Sequence, residues 1–122
     1  MDVTKLRVYR ETLNTFRLIE EIAKNLPIEL FDTKRQILRS AKAIAPLIAE
    51  GFGRKRSQKE FHRFTIEAMS TSDETVTHLR TIAKSIFNTI PMEKLKMVAE
   101  KYKSISKQLN KLASTIKSKS EL

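Results

Sequence analysis

Two histidines, His62 and His78, and the carboxylates near them are the first side chains in this sequence to test for chemistry. A di-metal centre in a helical protein needs about four inward-facing Glu side chains and two Glu-x-x-His pairs, because that spacing brings a carboxylate and an imidazole to one helix face. Lys59 stands three residues before His62 and Thr75 three before His78, so neither histidine has the required partner. Glu74 lies four residues before His78, the spacing of a surface pair on one helical turn. The absence of cysteine removes thiolate zinc sites, cysteine nucleophiles and disulfides together. No serine, histidine and acid group into a nucleophilic arrangement. Gly51-Phe52-Gly53 follows a predicted helix rather than a strand, which excludes a P-loop and a dinucleotide fingerprint. The expectation is a protein without catalytic residues, metal or cofactor.

One junction does ask for a physical account: Glu50-Gly51-Phe52-Gly53-Arg54-Lys55-Arg56-Ser57. Glu50 falls at a predicted helix C-terminus, where the macrodipole disfavours negative charge and a nearby cation would relieve it. The two glycines should turn the chain in the left-handed conformation that ends a helix. Arg54 then comes within reach of Glu50, and a Glu50–Arg54 clamp would fix the corner. A second reading stands beside it. Arg54, Lys55, Arg56 and Lys59 surround the start of the next helix, whose free amides favour an anion such as phosphate.

The elements that must position these groups are helices. Glycine and proline are scarce, with two and three residues respectively, and apolar residues recur three and four apart. A first helix is predicted over 3–25, with Leu6, Tyr9, Leu13, Phe16, Ile19, Ala23 and Leu26 as its core stripe, closed by Pro27. A second runs over 33–51, opened by a capping box at Thr33-Lys34-Arg35-Gln36 and kinked at Pro46. Its apolar positions Ile37, Ala41, Ile44 and Ile48 stay in phase across the proline, which favours one bent helix over two short ones. The third, over 57–88, opens with a second capping box, Ser57 to Glu60, and carries Phe61, Phe64, Ala68, Thr75, Leu79, Ile82 and Ile86. Its small polar run Ser70-Thr71-Ser72 would admit a close neighbour. The fourth, over 91–117, repeats Leu95, Val98, Tyr102, Ile105, Leu109, Leu112 and Ile116 in strict 3-4 alternation, with a frayed tail beyond. Short connections between four amphipathic helices give an all-α, up-down-up-down antiparallel bundle with a kinked second helix, a single domain over 1–122.

Charge adds the functional hint. The 24 Lys and Arg against 14 Asp and Glu leave a formal +10, which favours anionic partners. The excess sits in two segments, 31–60 and 91–122, each with eight basic and three acidic residues, while 1–30 and 61–90 balance. In the last segment Lys94, Lys96, Lys101, Lys103, Lys107, Lys111 and Lys117 all fall off the apolar seam, giving that helix a lysine-rich back. No run approaches the ~18 apolar residues of a membrane span and no leader-like apolar region opens the chain, so a cytoplasmic protein is expected. The fourth helix's seam is needed by the bundle, which argues against its lying on a membrane.

Several of these residues also carry a family resemblance. Leu6-Arg7-Val8-Tyr9, Gln36 with Arg39 and Ala41, and above all Ile48-Ala49-Glu50-Gly51-Phe52-Gly53-Arg54 carry it, continuing through Ser57, Lys59-Glu60-Phe61, Arg63-Phe64, Ala68, Glu74, Thr77 and Leu79. Over about residues 6–80 the chain resembles the four-helix-bundle family of bacterial 23S rRNA intervening-sequence proteins, whose fold is shared by accessory variability proteins of diversity-generating retroelements. It departs from that pattern in the position of Pro46, in Leu47, in Ser70-Thr71 and in the spacing from Arg54 to Ser57. The resemblance implies a homo-oligomer, pentameric in the better understood relatives, with basic surfaces that bind nucleic acid and a reverse transcriptase. It implies no catalytic residue.

Together these readings lead to a non-catalytic, homo-oligomeric accessory protein that binds nucleic acid, RNA before DNA, by counterion release and with little base reading. The expected contacts are Arg54, Lys55, Arg56, Lys59 and Arg63 at the corner and Lys94, Lys101, Lys103, Lys107 and Lys111 on the fourth helix. Glu50, Gly51, Gly53, Arg54, Ser57 and Glu60 are expected to build the junction itself. The alternative is an assembly adaptor, for a reverse transcriptase or a ribonucleoprotein, without useful RNA affinity of its own.

Overall fold

A computed structural model describes residues 2–120, with side chains over 2–116. Four helices follow one another: α1 (Arg7–Lys24), α2 (Phe31–Gly53), α3 (Gln58–Lys84) and α4 (Met92–Ser120). Short 3-10 turns, Val3–Lys5 and Ile28–Leu30, precede α1 and α2. Each helix packs on its neighbours in sequence and α1 closes on α4, which is the up-down-up-down bundle. The packing of α3 along α2 and α4 is far more extensive than that of α1 on either neighbour.

The core follows the predicted periodicity on α2 and over most of α3 and α4, where Phe61, Phe64 and Leu112 are only half-buried. Ile37, Ala41, Ile44 and Ile48 of α2, Ala68, Thr75, Leu79 and Ile82 of α3, and Leu95, Val98, Tyr102, Ile105, Leu109 and Ile116 of α4 are buried. α1 departs from it. Its buried face is Val8, Thr12, Thr15, Ile19, Ile22 and Ala23, whereas Leu13 is 49 % exposed and Tyr9 and Phe16 are only half-buried. Thr12 enters the core because its hydroxyl donates to the Val8 carbonyl at 2.8 Å, leaving only its methyl to pack.

Boundaries differ where side chains outside the helix periodicity intervene. Val3–Lys5 is a separate turn capped by Asp2, and Leu6 is extended before α1 begins. Thr33-Lys34-Arg35-Gln36 is no cap: α2 starts two residues earlier, straight out of the 3-10 turn anchored by buried Leu30. α2 continues unbroken past Pro46, which is exposed; with no N–H at that position the Lys42 carbonyl lacks its helical donor, as the expected kink requires. α3 stops at Lys84 rather than 88. Ser85 turns extended and its hydroxyl accepts from the Phe87 amide at 3.1 Å, while Asn88 Oδ1 accepts from the Ile90 amide at 2.8 Å. Ile86, expected in the core, is therefore 91 % exposed. α4 carries on to Ser120, three residues past its predicted end.

Buried hydroxyls register α3 against both neighbours. The Ser72 hydroxyl donates to the Tyr102 carbonyl at 3.0 Å and accepts from Ser106 at 2.8 Å, so the small residue in the middle of α3 does admit α4 closely. Ser40 and Thr75 share a hydrogen bond of 2.9 Å between α2 and α3.

Candidate nucleic-acid interface

The α2–α3 corner is built from the backbone outward. Past the end of α2 the Arg54 amide donates to the Glu50 and Gly51 carbonyls, at 3.2 and 3.1 Å, and the Ser57 amide donates to the Arg54 carbonyl at 2.9 Å. No described glycine has positive φ, so the expected left-handed turn is absent. Gly51 serves a different need: a Cβ there would stand 2.8 Å from the Phe64 Cβ, so its missing side chain lets α3 lie directly against the last turn of α2. A Cβ at Gly53 would meet nothing within 4 Å.

Arg54 is the centre of the corner. It reaches back to Glu50 Oε1 from Nε at 2.8 Å and Nη2 at 2.7 Å, and forward to Glu60 Oε1 from Nη1 at 3.3 Å. The predicted Glu50–Arg54 clamp is present, and Glu60 extends it across to α3. Ser57 caps α3 by accepting from the Glu60 amide at 3.2 Å. The Glu60 carboxylate, expected to complete a capping box, instead accepts from Arg63 Nε at 2.9 Å. That bond, with the charges of Arg63, Arg54 and Lys59 around it, lowers the Glu60 pKa from its ordinary 4.5 and raises that of Arg63.

Aromatic rings lie beneath these cations. Arg63 sits 4.3 Å and Arg54 5.2 Å from the Phe64 centroid, and Lys55 Nζ lies 4.1 Å from that of Phe52. Phe52 and Phe61 meet edge to face at 6.2 Å. Of the five cations expected to bind here, Arg54 and Arg63 are thus occupied by carboxylates. Arg56 and Lys59 are exposed and have no ion pair among the described residues.

The lysines of α4 separate into two stripes. Lys94, half-buried, donates to Glu21 of α1 at 3.4 Å, and Lys101 lies beside Glu11, itself held by Gln108 Nε2 at 2.7 Å. These two line the α1 seam, where acidic neighbours offset them. On the outer side Lys103 pairs with Glu100 at 3.1 Å, while Lys107 and Lys111 have no ion pair among the described residues. Because α3 and α4 are antiparallel and Ser72 lies level with Ser106, Lys107 and Lys111 lie progressively nearer the end that carries the Arg54 corner. The side chain of Lys117 falls outside the described residues.

Of the two histidines, His62 stands between Phe61 and Arg63 near the start of α3, and His78 lies farther along that helix. His78 Nε2 lies 3.1 Å from Glu74 Oε2 as a one-turn pair, and among the described residues no three metal-ligating side chains gather. None of the described helices is long and apolar enough to cross a membrane.

No curated protein matches the chain. A family model does: that of the 23S rRNA-intervening sequence protein matches residues 4–111.

Proposed function

Since the chain belongs to the 23S rRNA-intervening sequence protein family, we propose that it is a non-catalytic, homo-oligomeric accessory protein that binds RNA through phosphate contacts with little dependence on sequence. The observation that carries this reading is the set of cations without an ion pair among the described residues, Arg56 and Lys59 on the corner and Lys107 and Lys111 on α4 between mid-bundle and the corner's end. Arg54 has a structural part, holding Glu50 and Glu60 together, so that the corner presents its other cations on a fixed frame. Phosphate binding by such a surface is driven by counterion release and weakens steeply with salt. The half-buried rings of Phe52, Phe61 and Phe64 are covered by cations or by one another, which leaves little surface for stacking bases and supports backbone recognition.

The test is fluorescence anisotropy of a labelled polyuridine oligonucleotide against salt, with sedimentation velocity of the free protein. Affinity should fall on a log–log plot with a slope of about 0.7 per phosphate contact. The double substitution Arg56→Ala/Lys59→Ala should lower that slope by about 1.4 while leaving the melting temperature unchanged. Arg54 is a poor probe, because its loss would disturb the corner itself. Absence of binding, or a flat salt dependence, overturns the RNA reading; sedimentation as a 14.1 kDa monomer at micromolar concentration overturns the oligomer.

A further inference from the structure

At the end of the bundle remote from the Arg54 corner, an open groove of about 380 Å³ runs between α3 and α4. Its floor is apolar. Leu79 and Leu95 are buried beneath it, and the half-buried Ala83 and Ala99 leave a trough that larger side chains would fill. Its banks are cationic: Arg80 and Lys84, one turn apart on α3, face Lys96 on α4, and none of the three has an ion pair among the described residues. The only carboxylate in the lining, Glu100, is held by Lys103 at 3.1 Å. Segment-wise charge counting hides this site, since 61–90 is neutral in sum although Arg80 and Lys84 stand together at its end.

An apolar floor between positive banks is complementary to one kind of ligand. We propose that the α3–α4 groove docks an acidic amphipathic helix of a protein partner, with its apolar residues on the Ala83–Ala99 floor and its carboxylates against Arg80, Lys84 and Lys96. The α4 bank extends from Met92 to Lys103, about 16 Å at 1.5 Å per residue, which accommodates three turns of such a helix with anchors at i, i+4 and i+7. A nucleic-acid strand fits the groove less well, because the lining offers no aromatic ring on which a base could stack. The inference does not rest on the RNA reading, since Arg80, Lys84 and Lys96 are not among the proposed phosphate contacts.

The test uses the full chain and a fluorescein-labelled synthetic helix of about 14 residues, with Leu at i, i+4 and i+7 flanked by Glu, beside a scrambled peptide of the same composition and a polyuridine oligonucleotide. The amphipathic peptide should bind about tenfold more tightly than its scramble. Lys84→Glu with Lys96→Glu, both at exposed positions, should weaken it by about tenfold. Ala99→Leu, which fills the floor without changing charge, should weaken the peptide and leave polyuridine unaffected. Should Ala99→Leu lower the melting temperature, the charge-reversed pair decides alone. Equal binding of the scramble, indifference to the charge reversal, or displacement of the peptide by polyuridine overturns the proposal.

Discussion

Glu60 holds two arginines at once, and its removal separates their structural and binding roles. Its folded pKa lies below the ordinary 4.5, chiefly because Arg63 donates to its carboxylate. Whatever stability this contributes is therefore present in full above pH 4.5 and is lost as the pH falls through the lower folded value. Glu60→Gln should make acid unfolding below pH 4.5 less sensitive to pH. At neutral pH it raises the net charge from +10 to +11 and releases Arg54 and Arg63. Polyuridine affinity should then rise severalfold, with a steeper salt slope; an unchanged affinity would confine both arginines to the corner. Tyr102 offers a second measurement. It is fully buried, and its hydroxyl finds no hydrogen-bond partner among the described residues, while burial raises its pKa. Removing an unsatisfied buried hydroxyl relieves a desolvation cost, so Tyr102→Phe should stabilise the protein by about 1 kcal/mol, or about 4 °C in Tm, in a thermal melt. At this scale the Glu50–Arg54 clamp was legible because both partners lie one turn apart at a helix end. Glu60 was not, since Ser57-x-x-Glu60 also spells a capping box, and a local pattern does not reveal that Arg54 and Arg63 compete for the same carboxylate.

Helix ends and faces were read less evenly. The two glycines look alike in sequence as helix stops, yet both end up inside α2 and only one meets a neighbouring helix. Gly51→Ala should destabilise by about 1–3 kcal/mol, because its Cβ must displace Phe64. Gly53→Ala, in open space and without positive φ, should be neutral or stabilising by up to about 1 kcal/mol. Urea unfolding of both variants checks the contrast, and equal effects would contradict the close-approach role of Gly51. The α1 face was misread because threonine counts as polar in a periodicity argument. Thr12 and Thr15 line the core, while the larger Leu13 faces outward. The start of α2 was misread because a preceding 3-10 turn needs no side-chain cap, and the end of α3 because Ser85 and Asn88 draw backbone amides out of helical geometry.

For the molecule as a whole, the bundle was legible because its determinants are repetitive: four apolar periodicities, short connections, and small hydroxyls where α3 meets α2 and α4. The charge distribution was legible only in outline. Sequence counting placed the excess in two segments, whereas the structure sorts the same cations by neighbour, into those beside Asp32, Glu50, Glu60, Glu11, Glu21 or Glu100 and those without a carboxylate partner among the described residues. Proximity of helices decides that sorting, which no count along the chain contains. The closure of α1 on α4 has a kinetic consequence. All four helices meet their neighbours in sequence, but α1 packs on α2 far less extensively than α3 does on α2 and α4, and its Lys94–Glu21 and Gln108–Glu11 bonds to α4 join positions 73 and 97 residues apart. With little packing to offset the ordering of α1 and a long loop to close onto α4, α2, α3 and α4 should associate first and α1 dock last. By the same reasoning α1 is the helix that detaches first, and its amides should exchange hydrogen ahead of those in α3.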